Sequence, residues 1–312
     1  MMKKVLVTGG AGFIGSHVVD MLLKIKMNVV ILDNLSTGTL KNLDSSLDEV
    51  SFCEGCITHM EAVQNVFQLH PDIDHVIHLA AQSKVGPSLE NPGADAGVNI
   101  TGTINLLECS RKANVRTFIY ASSAAVYGET SVLPIKEQHE VNPLSPYGVS
   151  KLAAEEYVKT YGRLYDMEVK CLRFANVYGP RQSAATESGV ITIFIEDLIN
   201  GKRPVIFGDG LQTRDFIFVK DVSRAVCQWI DEKSDSFVYN VSSGEETSIE
   251  ELLKVICEST GQDYSPRFEK ERPGDIKRSY LDNVSLCRES SWTVDVPLNK
   301  GLEETIDYYR KK

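Results

Sequence analysis

A chain of 312 residues with net charge −10, 42% apolar and 24% charged residues has the make-up of a globular protein of one large or two fused domains. The negative balance and the lack of any Lys/Arg-rich run argue against nucleic acid or an anionic membrane as partner, and no apolar run reaches the length of a membrane span. A cytoplasmic protein is expected: Met1-Met2-Lys3-Lys4 leads into a strand, not a cleavable leader, and seven cysteines, an odd number, suit a reducing compartment.

In chain order, the apolar run Lys3 to Thr8 predicts a buried strand that empties into Gly9-Gly10-Ala11-Gly12-Phe13-Ile14-Gly15, with an apolar-periodic helix from Gly12 to about Lys26. The spacing of Gly9, Gly12 and Gly15 departs from G-x-G-x-x-G. The glycines still serve the same physical ends, namely a tight turn, close backbone approach to a pyrophosphate, and close helix-to-strand packing. The helix N-terminus then faces the phosphates. A second strand, Asn28 to Asp33, ends on Asp33, about twenty residues past the glycines, where a carboxylate accepts hydrogen bonds from the adenosine ribose. Asn34, Leu35 and Ser36 bring no Arg to hold a 2′-phosphate, so NAD is expected rather than NADP.

Strands at His75 to Ala80, Thr117 to Ser122 and Glu168 to Phe174, with helices at Met60 to Leu69, Gly93 to Ala113 and Tyr147 to Tyr165, continue the alternation. This is the rhythm of an α/β, doubly wound parallel sheet, the Rossmann arrangement. Ligands of such sheets sit beyond the carboxyl ends of the strands. The glycines, Asp33, Ala80 to Gln82, Ser122, Ser123 and Asn176 gather there. After Asn176 the chain becomes turn-rich, with helices expected at about Val190 to Asn200, Asp221 to Asp231, from Ser248 (a Ser-Ile-Glu-Glu capping box) and from Lys300 to Arg310. The expected division is an NAD-binding domain over 1–175 and, over 176–312, a smaller α/β substrate-binding lobe, some of whose elements return to the first sheet.

The chemistry-bearing stretch is Tyr147-Gly-Val-Ser-Lys151. At i and i+4 on a helix the phenol and the ammonium share a face, and a fixed cation is expected to draw the phenol below its ordinary value of about 10. Such a tyrosine takes a proton from an alcohol near neutral pH, with Ser123 as a second polar group. The pair alone is weak, because Tyr-x-x-x-Lys recurs by chance on solvated helix faces. Its weight comes from the βαβ frame around it. His78, in the apolar run Val76-Ile77-His78-Leu79, reads as a hydrogen-bonded core residue. Cys53-Glu-Gly-Cys56 has neither a second C-x-x-C nor a His pair to complete a metal site, so no metal is expected.

Together, Thr8-Gly-Gly-Ala-Gly-Phe-Ile-Gly15, His78-Leu-Ala-Ala81, Ala121-Ser-Ser-Ala-Ala-Val-Tyr-Gly128, Ser145-Pro-Tyr-Gly-Val-Ser-Lys151 and Arg173-Phe-Ala-Asn-Val-Tyr-Gly-Pro-Arg181 resemble the extended short-chain dehydrogenase/reductase family over essentially the whole chain. Asp33-Asn-Leu-Ser-Thr-Gly38 and Arg272-Pro-Gly-Asp275 add a likeness to its UDP-glucose 4-epimerase branch. The resemblance implies a tightly held NAD that is returned unchanged in each cycle. Tyr147 is then the general base, Lys151 tunes it and bonds the nicotinamide ribose, and Ser123 holds the sugar hydroxyl. The implied reaction oxidises C4 of a UDP-hexose, lets the 4-keto sugar rotate, and returns the hydride to its other face.

By the same likeness the glycines, Phe13, Ile14, Asp33, Asn34, Ser36, Thr37 and Gly38 hold the cofactor at the adenosine and pyrophosphate side. Cys56, Ile57, Leu79, Ala80, Ala81, Gln82, Asn99, Ser122 and Phe174 complete its site with Tyr147 and Lys151. Substrate falls to Lys84, Ser123, Tyr147, Asn176, Val190, Val205 and Phe207. Arg214 and Arg272 belong to the pyrophosphate region, and Asp275 and Ser279 to the same substrate set.

Related dehydratases and decarboxylases carry acidic residues after the serine, where this chain has Ala124 and Ala125; without an acid to protonate a leaving hydroxyl, dehydration is disfavoured. Those enzymes and a uronate 4-epimerase are the alternatives. Ser279, four residues after the Arg-x-Gly-Asp motif, stands at the family's pocket-size position, and a small residue there implies room for an N-acetyl group. Cys56 replaces the usual Asp that contacts adenine, and a thiol is a poor acceptor, so weaker NAD binding is expected. A homodimer is implied through helices around Gly93 to Ala113 and Tyr147 to Tyr165. Ile100, Ile104 and Leu107 form an apolar face there that could equally pack on the sheet.

Overall fold

The computed structural model describes residues 3–184, 189–271 and 276–311. Its strands are β1 (Lys4–Thr8), β2 (Asn28–Asp33), β3 (Val50–Glu54), β4 (His75–His78), β5 (Thr117–Ser123), β6 (Glu168–Phe174), β7 (Asn176–Tyr178), β8 (Val205–Phe207), β9 (Thr213–Arg214), β10 (Phe216–Phe218) and β11 (Val238–Val241), followed by two short ones at Thr247–Ser248 and Arg267–Glu269. Seven of them form one sheet in the order β11-β6-β5-β4-β1-β2-β3, every neighbour pair parallel. Order reverses between β1 and β4, and the crevice at that switch point is where such sheets bind ligands.

The central strands are near-continuous apolar runs because helices cover both faces: Val5, Leu6 and Val7 are fully buried, as are Val76 and Ile77. One core cluster joins Val18, Leu22 and Ile31 to Val222, Ala225 and Trp229. The opposite face packs Val63, Val66, Leu106 and Val158 against Leu6, Phe118 and Val169. A third cluster, with Phe194, Ile206, Phe218, Leu253 and Leu302, joins elements from the later part of the chain.

Several elements differ from the sequence reading. β3 is absent from it because Val50-Ser-Phe-Cys-Glu is a partly exposed edge strand, whose mixed composition carries no buried-strand signal. β11 comes from the later part of the chain yet pairs with β6, Val238 opposite Cys171 through Val241 opposite Phe174. The helix expected over Gly93 to Ala113 is broken into Pro92–Ala96, a π turn at Gly97–Thr101, and Gly102–Lys112. Glycines stand at both ends of that turn, where helix propensity is low, and Gly102 is pressed so close to Ile57 that a Cβ would lie 2.6 Å from its Cδ1. π turns of this kind recur at functional sites. Among the described residues no helix is long and apolar enough to cross a membrane.

Candidate active site

A cavity of about 1120 Å³ runs along the carboxyl ends of the sheet strands and on to residues of the later part of the chain. At one end lies the glycine turn. Gly9 has φ 73°, and a Cβ on it would stand 2.7 Å from the Ala80 amide nitrogen, while one on Gly15 would stand 2.0 Å from the Gly9 carbonyl oxygen. Only bare backbone fits there. Gly12 caps the Phe13–Lys24 helix without a side-chain hydrogen bond, and the first turn carries no acidic residue, so the helix end is open to an anion. The Asp33 carboxylate is fixed at the cavity edge by amides of the loops it faces, Ala11 N to Oδ2 at 2.9 Å and Leu35 N to Oδ1 at 2.8 Å. No Lys or Arg stands among the lining residues from Gly9 to Ile57. A cradle of backbone donors, a ribose-facing carboxylate and no extra cation fit NAD.

Of the residues assigned to the cofactor, Phe13, Ile14, Asn34, Ser36, Thr37, Cys56, Ile57, Leu79 to Gln82, Ser122 and Phe174 all line this cavity. Gly38 and Asn99 do not. Gly38 is a packing glycine, since a Cβ there would lie 2.8 Å from the Ala11 carbonyl. Asn99 is buried behind the wall and holds Gln82 from below, accepting from its amide at 2.9 Å and donating to its carbonyl at 3.0 Å. Ser122 faces the cavity, but its hydroxyl donates to Glu155 at 2.8 Å. The Cys56 thiol lies 3.0 Å from the Thr58 hydroxyl.

Tyr147 and Lys151 lie on the Pro146–Leu164 helix, which starts with Pro at its first position and a Ser145 cap that accepts from Gly148 N at 3.2 Å. A buried clamp fixes the helix to the sheet. Arg173 of β6 donates to both Glu155 oxygens, Nε at 3.1 Å and Nη2 at 2.6 Å, a bidentate pair of high geometric specificity. Lys151 is 4% exposed; its Nζ donates to the Ala121 carbonyl at 2.8 Å and stands 5.0 Å over the Tyr120 ring. Burial lowers its pKa to about 8, with Asp95 opposing. Burial raises the Tyr147 phenol, a hydrogen bond with Ser123 lowers it, and Asp95 raises it further. Desolvation thus decides the direction, against the downward shift expected from the Lys151 cation, and Ser123, not Lys151, is the group that favours the phenolate. His78, as the sequence suggested, is a core residue, bonded to Thr8 at 2.7 Å and Thr103 at 2.9 Å.

The cavity is lined further by Lys84, Asn176, Val190, Val205, Phe207, Arg214 and Ser279 together with Ala124 and Ala125. Arg214 donates through Nη1 to the carbonyls of Thr213 at 2.7 Å and Ile276 at 2.6 Å, which ties the β9 edge to the segment carrying Ser279. Arg272 and Asp275 lie outside the described residues. Sequence reasoning missed Gln182, Phe194, Asp197 and Gln212, which also line the cavity. The periodicity of the Val190–Ile199 helix could have placed Phe194 and Asp197 beside Val190; the two glutamines sit in turns with no such signal. Among the described residues no group of three His, Cys, Asp or Glu could hold a metal ion.

A parallel Rossmann sheet, a glycine-turn phosphate cradle and a Tyr-Lys-Ser trio in one cleft define a dinucleotide-dependent enzyme acting on a hydroxyl group. The chain belongs to the NAD-dependent epimerase/dehydratase family, whose profile matches residues 5–242. It is 40% identical over 312 residues to a UDP-glucose 4-epimerase of Mycolicibacterium smegmatis, covering 99% of each chain. Among solved structures it resembles the UDP-glucose 4-epimerase of Thermotoga maritima with UDP-glucose (TM-score 0.94, 40% identity, 99% of each chain covered). It also resembles the UDP-glucose 4-epimerase of Thermus thermophilus in complex with NAD (TM-score 0.91, 37% identity, 98% of this chain and 99% of that one).

Proposed function

We propose that this chain interconverts the C4 epimers of a UDP-hexose, UDP-glucose with UDP-galactose and also the N-acetylated pair. The observation that carries this is one cavity lined both by Tyr147, Ser123 and Lys151 and by Gly9, Gly12 and Gly15, with Ala124 and Ala125 at the positions after Ser123. NAD, when bound, supplies reversible hydride acceptance at the sugar C4. Tyr147 takes the O4 proton and returns it, Ser123 orients that hydroxyl and stabilises the phenolate, and Lys151 supplies the fixed positive charge. The alanines leave no carboxylic acid to expel a hydroxyl, so the keto sugar is re-reduced and not dehydrated. Arg214, with Arg272, holds the nucleotide phosphates, and the volume beyond Ala124 and Ala125 lets the sugar turn.

Ser279 on the cavity wall leaves room for an N-acetyl group, and Cys56 makes the adenine contact weaker than an aspartate would. The same reading carries a cytoplasmic location and a homodimer. Leu107 is fully buried in the core, which removes it from the apolar face; Val149 and Tyr157 on the catalytic helix and Leu89 are exposed apolar residues suited to a second copy. The test is proton NMR of purified protein with NAD and, separately, UDP-Glc, UDP-GlcNAc and UDP-GlcA. Epimer ratios move toward equilibrium for the first two. Turnover of UDP-GlcA alone, or a product lighter by water or carbon dioxide, overturns the proposal.

A further inference from the structure

We propose that Asp95 is a positioning residue for the Tyr147–Lys151 pair: one carboxylate oxygen braces the wall beneath Gln82, and the other is the buried counter-charge to the Lys151 ammonium. This rests on the reading of Tyr147 and Lys151 as the reacting pair. Asp95 is 2% exposed and sits on the Pro92–Ala96 turn of helix, immediately before the π turn. Its Oδ1 accepts from Gln82 Nε2 at 2.7 Å and Asn99 Nδ2 at 3.3 Å. Its Oδ2 is buried with no hydrogen-bond partner among the described residues. A buried carboxylate oxygen left unpaired is costly unless a cation stands near it.

The bonds of Oδ1 lead to the site by two routes. Gln82 lines the cavity, and its amide nitrogen also donates to the Lys84 carbonyl at 2.8 Å. Asn99 donates to Ser150 Oγ at 2.9 Å, and Ser150 donates to the Tyr147 carbonyl at 3.0 Å, which reaches the first turn of the catalytic helix. The carboxylate as a whole also acts through charge. The ionisable groups that respond to Asp95 are Lys151 and Tyr147 on the catalytic helix and Tyr120 on β5. Lys151 is the cation of that set. It also meets the Ala121 carbonyl and the Tyr120 ring, and couples by charge to its neighbour His78, whose own pKa burial lowers to about 3. His78 is therefore neutral at working pH, and burial drives Lys151 toward its neutral form while Asp95 opposes it. The carboxylate thus keeps the charge that the proton transfer needs.

Asp95→Asn separates charge from shape, because its amide oxygen still accepts from Gln82 while its nitrogen replaces the unpaired oxygen. The holoenzyme is compared with wild type in thermal melting, NAD retained through gel filtration, KM and kcat for UDP-glucose, and the pH titration of the Lys151 Cε resonance in lysine-labelled protein, assigned with Lys151→Met. The expected result is unchanged melting, NAD content and KM, a kcat lower by about tenfold, and a Lys151 midpoint lower by about one unit, the two being equivalent in energy. A folded variant with wild-type kcat or a wild-type Lys151 midpoint overturns the proposal. Should Asp95→Asn not fold, Asp95→Ser, which keeps an acceptor in a smaller side chain, is judged by the same readouts. The titration does not depend on turnover, so failure of the epimerase reading, seen as no wild-type activity, is distinguishable from failure of the role given to Asp95.

Discussion

The two ends of the cavity are built differently. At the glycine turn the contacts are backbone: Gly9, Gly12 and Gly15 allow close approach, and Asp33 is locked by two amides. At the far end they are side chains on three-residue or shorter strands, such as Val205, Phe207 and Arg214, together with the partly exposed Ser279. A backbone cradle does not discriminate among substrates and fails abruptly when a Cβ intrudes, whereas a side-chain wall can be retuned one residue at a time. Tyr147, Ser123 and Lys151, the proposed reacting trio, line the same cavity.

The largest effect is expected between the two ends. Tyr147→Phe removes the proton acceptor with little change to packing, and kcat should fall by about 10² to 10⁴-fold with NAD retention unchanged; turnover within a few-fold of wild type would sink the mechanism. Next comes the rigid end. In Gly15→Ala the new methyl would lie 2.0 Å from the Gly9 carbonyl, so NAD retention should be lost and stability should drop by about 1–3 kcal/mol. Retention at the wild-type level contradicts the cradle.

Buried histidines under the sheet and the first helix set an acid limit. Burial lowers His17 and His75 to about 4 and His78 to about 3 from an ordinary 6.5. The unfolded chain binds these protons first, so stability present above pH 6.5 is lost as pH falls toward 4, on the order of 3 kcal/mol for each of His17 and His75. Melting temperature should fall steeply over that window. His75→Leu should flatten the slope, because both its ring nitrogens are buried without partners among the described residues; an unchanged slope would remove His75 from the account.

The smallest effects belong to the adjustable positions. Ser279→Tyr should lower activity on the N-acetylated sugar relative to UDP-glucose, and an unchanged ratio would discard Ser279 as the pocket-size residue. Cys56→Asp should raise NAD retention through gel filtration modestly; equal retention counts against a role for the thiol.

What the sequence made legible follows the same division. The βαβ frame, the glycine turn, Asp33 and the Tyr-x-x-x-Lys pair were readable because each is a short-range pattern imposed by backbone geometry or helix periodicity. Asn99 was assigned to the cofactor site, whereas it does not line the cavity and instead bonds Gln82 from behind it, because the π turn that buries it has no periodic signature. β11 was not visible as a sheet strand, since its partner β6 lies more than sixty residues earlier, Val238 opposite Cys171. The upward shift of the Tyr147 phenol was missed for a related reason: i,i+4 spacing locates the cation but says nothing of desolvation, which depends on every element that covers the site.

On this mechanism one carbon is oxidised and then re-reduced within a single cavity, and the hydride never leaves it. The decisive measurement is NMR of UDP-glucose deuterated at C4, incubated with the NAD-loaded protein in ordinary water. UDP-galactose that keeps its deuterium at C4 is the expected product; loss of the label to solvent, or no galactose-configured product at all, would contradict the mechanism.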